Sequence, residues 1–77
     1  MHPLATVASA VDAAELTTRE LEILRLVASG RSNGELARML WVTEQTVKFH
    51  LSNIYRKLKV SNRTEAARLY HQYSRRV

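Results

Sequence analysis

TEQTVKFHLSNIYRKL, residues 43–58, separates into two unlike sides when it is wound at about 100° per residue. Val47, Leu51, Ile54 and Leu58 share one narrow stripe, with Tyr55 at its edge. Gln45, Lys48, Phe49, Ser52, Asn53 and Arg56 spread over the opposite side. That side offers positive charge, amides, a hydroxyl and one aromatic ring, but no acid. A helix that meets only water mixes Glu among its Lys and Arg, so this one implies an anionic partner. Its apolar stripe requires that other helices cover it.

Start and stop signals mark those other helices on both sides. Thr17-x-x-Glu20 is a capping box: the Thr oxygen accepts from the Glu20 amide while the Glu carboxylate reaches back. Ile23, Leu24, Val27 and Ala28 then form the inner stripe of a first helix, and Gly30 suits the left-handed turn past its end. Ser32-x-x-Glu35 opens a short second helix whose inner residues are Leu36, Ala37 and Leu40. Trp41 and Val42 make a brief connection, where Trp41 is expected to wedge into the core. Thr43 caps the third helix, and Glu44 complements its dipole. Asn62-x-x-Glu65 begins a fourth helix with Ala66, Leu69, Tyr70 and Tyr73 along one side. No segment alternates with period two. The expected fold is therefore all-α, a compact four-helix bundle.

Seventy-seven residues suffice for one small domain with little chain left over for a deep pocket. The net charge is +5, unevenly spread: from Leu16 onward twelve basic residues face five acids, a net +7. Between Gln45 and Thr64 stand Lys48, Arg56, Lys57, Lys59 and Arg63 with no acid, a pattern suited to phosphate. No apolar run approaches the ~20 residues of a membrane-spanning helix. The first residues do not carry the basic start and apolar run of a secretion signal. There is no cysteine, which excludes disulfides and thiolate metal sites and fits a cytoplasmic protein. Residues 1–15 are Ala-rich and free of Lys and Arg, and read as a flexible leader or linker before a domain at 16–77. Leu4, Val7, Ala8, Val11 and Ala14 repeat at helical spacing, so a docked or dimerising helix is the alternative.

A short second helix, a tight turn and a longer third helix describe a helix-turn-helix. About fifteen residues in the third helix span roughly 22 Å, enough to lie in a DNA major groove and still reach a backbone. The landmarks Leu16-Thr17 with Arg19-Glu20, Gly30 with Ser32-Asn33, Glu35-Leu36-Ala37, Thr46-Val47-Lys48-x-His50, Lys57-Leu58 and Arg63-Thr64-x-Ala66 form a specific set. Through them the chain, over about residues 16–73, resembles the LuxR-type (NarL- or GerE-type) DNA-binding domain of bacterial transcription regulators. The resemblance implies a third helix in the major groove and a homodimer formed through the fourth. Three positions depart from the common pattern. Gly34 stands where a long side chain is usual, Lys59 where Gly or Asn often closes the third helix, and Met39 is more apolar than typical.

With double-stranded DNA as the implied partner, the outer residues take roles. Lys48 is the first candidate for a base contact, because a long donor there reaches guanine O6 and N7; a phosphate contact is its plainer role. Phe49 suits a thymine methyl, or else a neighbouring domain. Ser52, Asn53 and Gln45 are placed to touch a base edge or a phosphate. Thr43, Thr46, Arg56 and Lys57 fit backbone contacts, as do Ser32 and Asn33 at the start of the second helix, although capping alone accounts for Thr43 and Ser32. Leu69, Tyr70 and Tyr73 are the expected dimer contacts. His50 borders the apolar stripe without a second ligand at metal spacing, so no metal is expected, and no cofactor.

A sigma-factor region that recognises the promoter −35 element also carries a helix-turn-helix, although the Asn62–Ala67 segment and the fourth helix fit it poorly. A pure protein-interaction module sits badly with an acid-free outer face; RNA polymerase is a further partner that the reading leaves open. No Gly-rich phosphate loop, convergent pair of carboxylates or supported Ser-His-Asp set argues for an enzyme.

Overall fold

The computed structural model describes residues 11–76. It is all-helical, with α1 at Thr18–Ala28, α2 at Asn33–Leu40, α3 at Glu44–Leu58 and α4 at Arg63–Arg76. Residues 11–13 are helical as well and lead into α1. α1 packs against both α3 and α4, and α2 lies on α3 as the first arm of the helix-turn-helix.

Each start follows from a cap. The Glu20 amide donates to Thr17 Oγ1 at 3.0 Å while the Thr17 amide donates to Glu20 Oε1 at 2.9 Å. Ser32 and Glu35 repeat the reciprocal pair at 3.1 and 2.9 Å, and that hydrogen bond from the Ser32 amide is the chief reason the Glu35 carboxyl sits below the ordinary carboxylate range. At α3 the Thr46 amide donates to Thr43 Oγ1 at 3.1 Å. Before α4, the Glu65 amide donates to Asn62 Oδ1, and Glu65 in turn accepts from the amide of Ser61, one residue ahead of the expected position.

The helix ends share one device. Beyond α1, α2 and α3 a left-handed residue is followed by an amide that donates five residues back: Arg31 to Leu26, Val42 to Ala37 and Val60 to Tyr55. Gly30, with φ 95°, is the only one of the three pivots that escapes a side-chain penalty; Trp41 and Lys59 both sit at φ 60°.

This device explains a departure from expectation at Trp41. Its indole is 92% exposed, not wedged into the core. A left-handed residue reverses the chain so sharply that its own side chain swings outward and the next one swings in. Val42, not Trp41, packs against the core.

The core brings together Ile23, Leu24, Leu26 and Val27 from α1, Leu36 and Ala37 from α2, Val47, Leu51, Ile54 and Leu58 from α3, and Ala66 from α4. Full burial of each large aliphatic side chain contributes about 1.5–3 kcal/mol. Val11 belongs to the same core at 4% exposure, with Ala14 packed beside it. Val11 lies five residues before Leu16, so the buried core includes a residue of the stretch 1–15. An Ala-rich stretch free of Lys and Arg gives no compositional sign that Val11 docks. The other positions of that helical repeat, Leu4, Val7 and Ala8, lie outside the described residues.

A charged pair joins α3 to α1. Lys57 Nζ on α3 donates to Glu20 Oε1 on α1 at 2.7 Å, across side chains that are largely removed from water. Burial pushes the Glu20 carboxyl up, but the hydrogen bonds from Lys57 and Thr17 and the lysine charge outweigh it and leave the group below the ordinary range.

A carboxyl that titrates lower when folded stabilises the fold above its unfolded value and loses that contribution as pH falls through the folded value. Glu20→Gln should therefore cost about 2 kcal/mol near neutral pH in urea unfolding, and the gap from wild type should close as the medium is acidified below the ordinary 4.5. Lys59→Gly should raise stability by about 0.5–1 kcal/mol in the same assay, because it relieves the left-handed pivot.

Candidate nucleic-acid interface

The two sides of α3 are as distinct in space as in sequence. Val47 and Ile54 are fully buried, Leu51 and Leu58 nearly so, and Tyr55 is half-buried against the same core. Gln45, Lys48, Phe49, Ser52 and Arg56 are exposed, with Phe49 presenting 61% of its surface. Asn53 is half-buried at the margin. Apolar burial fixes the rotation of the rod, and the outer residues follow from it.

Their polar atoms are partly committed already. Ser52 Oγ donates to the Phe49 carbonyl at 2.9 Å, so its lone pairs face outward as acceptors. Arg56 Nη2 donates to Asn53 Oδ1 at 2.7 Å, which leaves the Asn53 amide nitrogen as its free donor. The Phe49 and His50 rings meet edge to face, 5.9 Å between centroids. His50 is half-buried, and among the described residues there is no cluster of His, Cys, Asp or Glu that could hold a metal ion.

Thr43 and Thr46 are locked to each other at the start of α3, with Thr43 Oγ1 donating to Thr46 Oγ1 at 3.0 Å. Ser32 and Asn33 lie at the start of α2, the first exposed and the second half-buried. Close to them, Gly34 leaves a space that the Glu44 carboxylate uses: a Cβ at Gly34 would stand 3.2 Å from Glu44 Oε2. An acid thus occupies the place where a long side chain was expected.

Two groups of expected site residues also make contacts within the domain. Lys57 is half-buried, and its ammonium is held by Glu20, so one of its three donors serves the fold. Leu69, Tyr70 and Tyr73 pack against the domain's own core while remaining partly exposed, and the rings of Tyr70 and Tyr73 are 5.8 Å apart. The outward line of α4 is Thr64, Arg68, His71 and Arg75.

The family described as bacterial regulatory proteins, luxR family, matches residues 14–70. The chain belongs to that family. It is 53% identical over 57 residues to the transcriptional regulatory protein LiaR of Bacillus subtilis (strain 168), covering 74% of this chain and 27% of that protein. It is 48% identical over 58 residues to the CsgBAC operon transcriptional regulatory protein of Escherichia coli (strain K12), covering 75% and 27%. With the nitrate/nitrite response regulator protein NarL of the same strain it shares 46% over 61 residues, covering 79% and 28%. The chain thus spans little more than a quarter of the length of the curated relatives it matches.

In this luxR-family domain one basic residue, counted in the sequence only within a phosphate-suited run, makes a contact that the sequence did not show. Arg63, the first residue of α4, reaches back to the start of α2. It stands among the landmarks of the family resemblance, yet no periodicity or spacing reveals a contact thirty positions away.

As the single tryptophan, Trp41 reports on its own placement. Intrinsic fluorescence should show the red-shifted emission of hydrated indole, with iodide quenching close to that of free tryptophan. A blue-shifted, iodide-resistant spectrum would instead put Trp41 in the core.

Proposed function

We propose that this domain binds double-stranded DNA sequence-specifically as the effector part of a bacterial transcription regulator, with α3 in the major groove. One observation carries the reading: α3 buries Val47, Leu51, Ile54 and Leu58 and leaves Gln45, Lys48, Phe49, Ser52 and Arg56 open, none of them an acid. The relatives, named as transcriptional regulatory proteins and a response regulator, support it.

Within this reading Lys48 addresses guanine, Phe49 packs on a thymine methyl, and Gln45, Ser52 and Asn53 meet neighbouring base edges. Ser32, Asn33, Thr43, Thr46 and Arg56 grip the backbone, assisted by the two donors that Lys57 keeps. Two copies occupy a two-fold site with half-sites about one helical turn apart, meeting through the exposed edges of Leu69, Tyr70 and Tyr73. The cytoplasm is the compartment this role requires, and among the described residues no helix is long and apolar enough to cross a membrane. The match over residues 14–70 leaves the −35-element alternative without specific support.

Selection of DNA from a random pool, at several protein concentrations, tests the proposal. The expected product is a two-fold consensus whose affinity falls steeply with salt. Lys48→Ala should relax base preference at one position of each half-site. Arg56→Ala should weaken all sequences alike and lower the logarithmic salt slope by about 1. An unselected pool, or variants indistinguishable from wild type at moderate salt, would refute the placement of α3.

A further inference from the structure

Arg63 makes two hydrogen bonds to the segment that opens α2. Its Nη1 donates to Asn33 Oδ1 at 2.7 Å, and its Nη2 donates to the Arg31 carbonyl. One planar guanidinium thereby fixes points on both sides of Ser32, the N-cap residue of α2. Both acceptors are neutral, and among the described residues Arg63 forms no ion pair with a carboxylate. Its extended packing partner is not α2 itself, which lies mainly on α3, so this fork is a direct tie between the start of α4 and the start of α2.

The bond also orients an amide. A guanidinium has donors and no acceptor, so the oxygen of Asn33 must face Arg63. The Asn33 nitrogen is then turned to the other side, where its two hydrogens are the groups left to meet an outside acceptor. Asn33 is half-buried, which restricts the other orientations of its side chain.

We propose that Arg63 is a positioning residue for DNA binding: it holds residues 31–33 in place and turns the Asn33 amide so that its NH2 group meets a backbone phosphate. This rests on the proposed DNA-binding reading. Arg63 acts through Asn33, a neutral donor, and its own charge makes no phosphate contact.

The test is equilibrium binding of the selected duplex across a salt series by wild type, Arg63→Lys, Arg63→Ala, Asn33→Ala and the Arg63→Lys/Asn33→Ala double variant. Each is measured at a temperature where circular dichroism shows it folded. Arg63→Lys keeps the charge but not the fork, so it should weaken binding about tenfold, as should Asn33→Ala. The double variant should bind no worse than either single one, because both remove the same contact. The logarithmic salt slope should stay at the wild-type value even in Arg63→Ala, since a neutral contact releases no counterion. Wild-type affinity in Arg63→Lys, losses that multiply in the double variant, or a slope lowered by about 0.9 in Arg63→Ala would each overturn the inference. Lys48→Ala in the same assay separates it from the reading beneath it: an error in placing α3 shows there as unchanged base preference, and an error about Arg63 shows only in the Arg63 variants.

Discussion

The carboxylate of Glu20 serves two ends of the molecule at once. It accepts from the Thr17 amide and so completes the cap of α1, and it accepts from Lys57 near the far end of α3. The helix that presents the outer face is thereby tied to the helix that packs on α4. Apolar burial sets the rotation of α3 about its axis, and interdigitating side chains limit its sliding along its neighbours. A short, charge-assisted bond in a partly dry setting adds a directional tie to that axial register. Every outer residue of α3, from Gln45 to Arg56, inherits its position from that register.

The turns divide the labour similarly. Three helices end in the same left-handed device, and only Gly30 suits it intrinsically. At Trp41 and Lys59 the chain tolerates a steric cost because the following valine is pulled into the core: Val42 and Val60 both pack there. The burial gained by the valine offsets the strain of the pivot. The same geometry leaves Trp41 on the surface beside a groove of about 580 Å³ that includes Ala37, Arg38, Val42 and Thr43.

Arg63 and Glu20 illustrate a common economy in a domain with a small core. In each case a charged side chain near a helix start reaches across the fold and also organises the local backbone there. Where two helices share little apolar surface, as α2 and α4 do, a forked hydrogen bond replaces packing. Functional geometry in such a domain is carried by few contacts, so single substitutions at these positions change orientation as much as stability.

Much of this was legible in the chain itself. The capping boxes at Thr17 and Ser32, the Gly30 terminus and the stripe of Val47, Leu51, Ile54 and Leu58 are local patterns, and local backbone chemistry dictates them. They determine four helices, which face of α3 is buried, and thereby which residues lie open to a partner. Three features were decided only in three dimensions. Val11 joined the core because a hydrophobic surface was left to cover; Trp41 turned outward because the backbone reversed beneath it; Lys57 and Arg63 found acceptors more than thirty or about thirty positions away. Periodicity and caps encode what a segment does with its neighbours in sequence, whereas the pairing of distant polar groups depends on where packing finally places them.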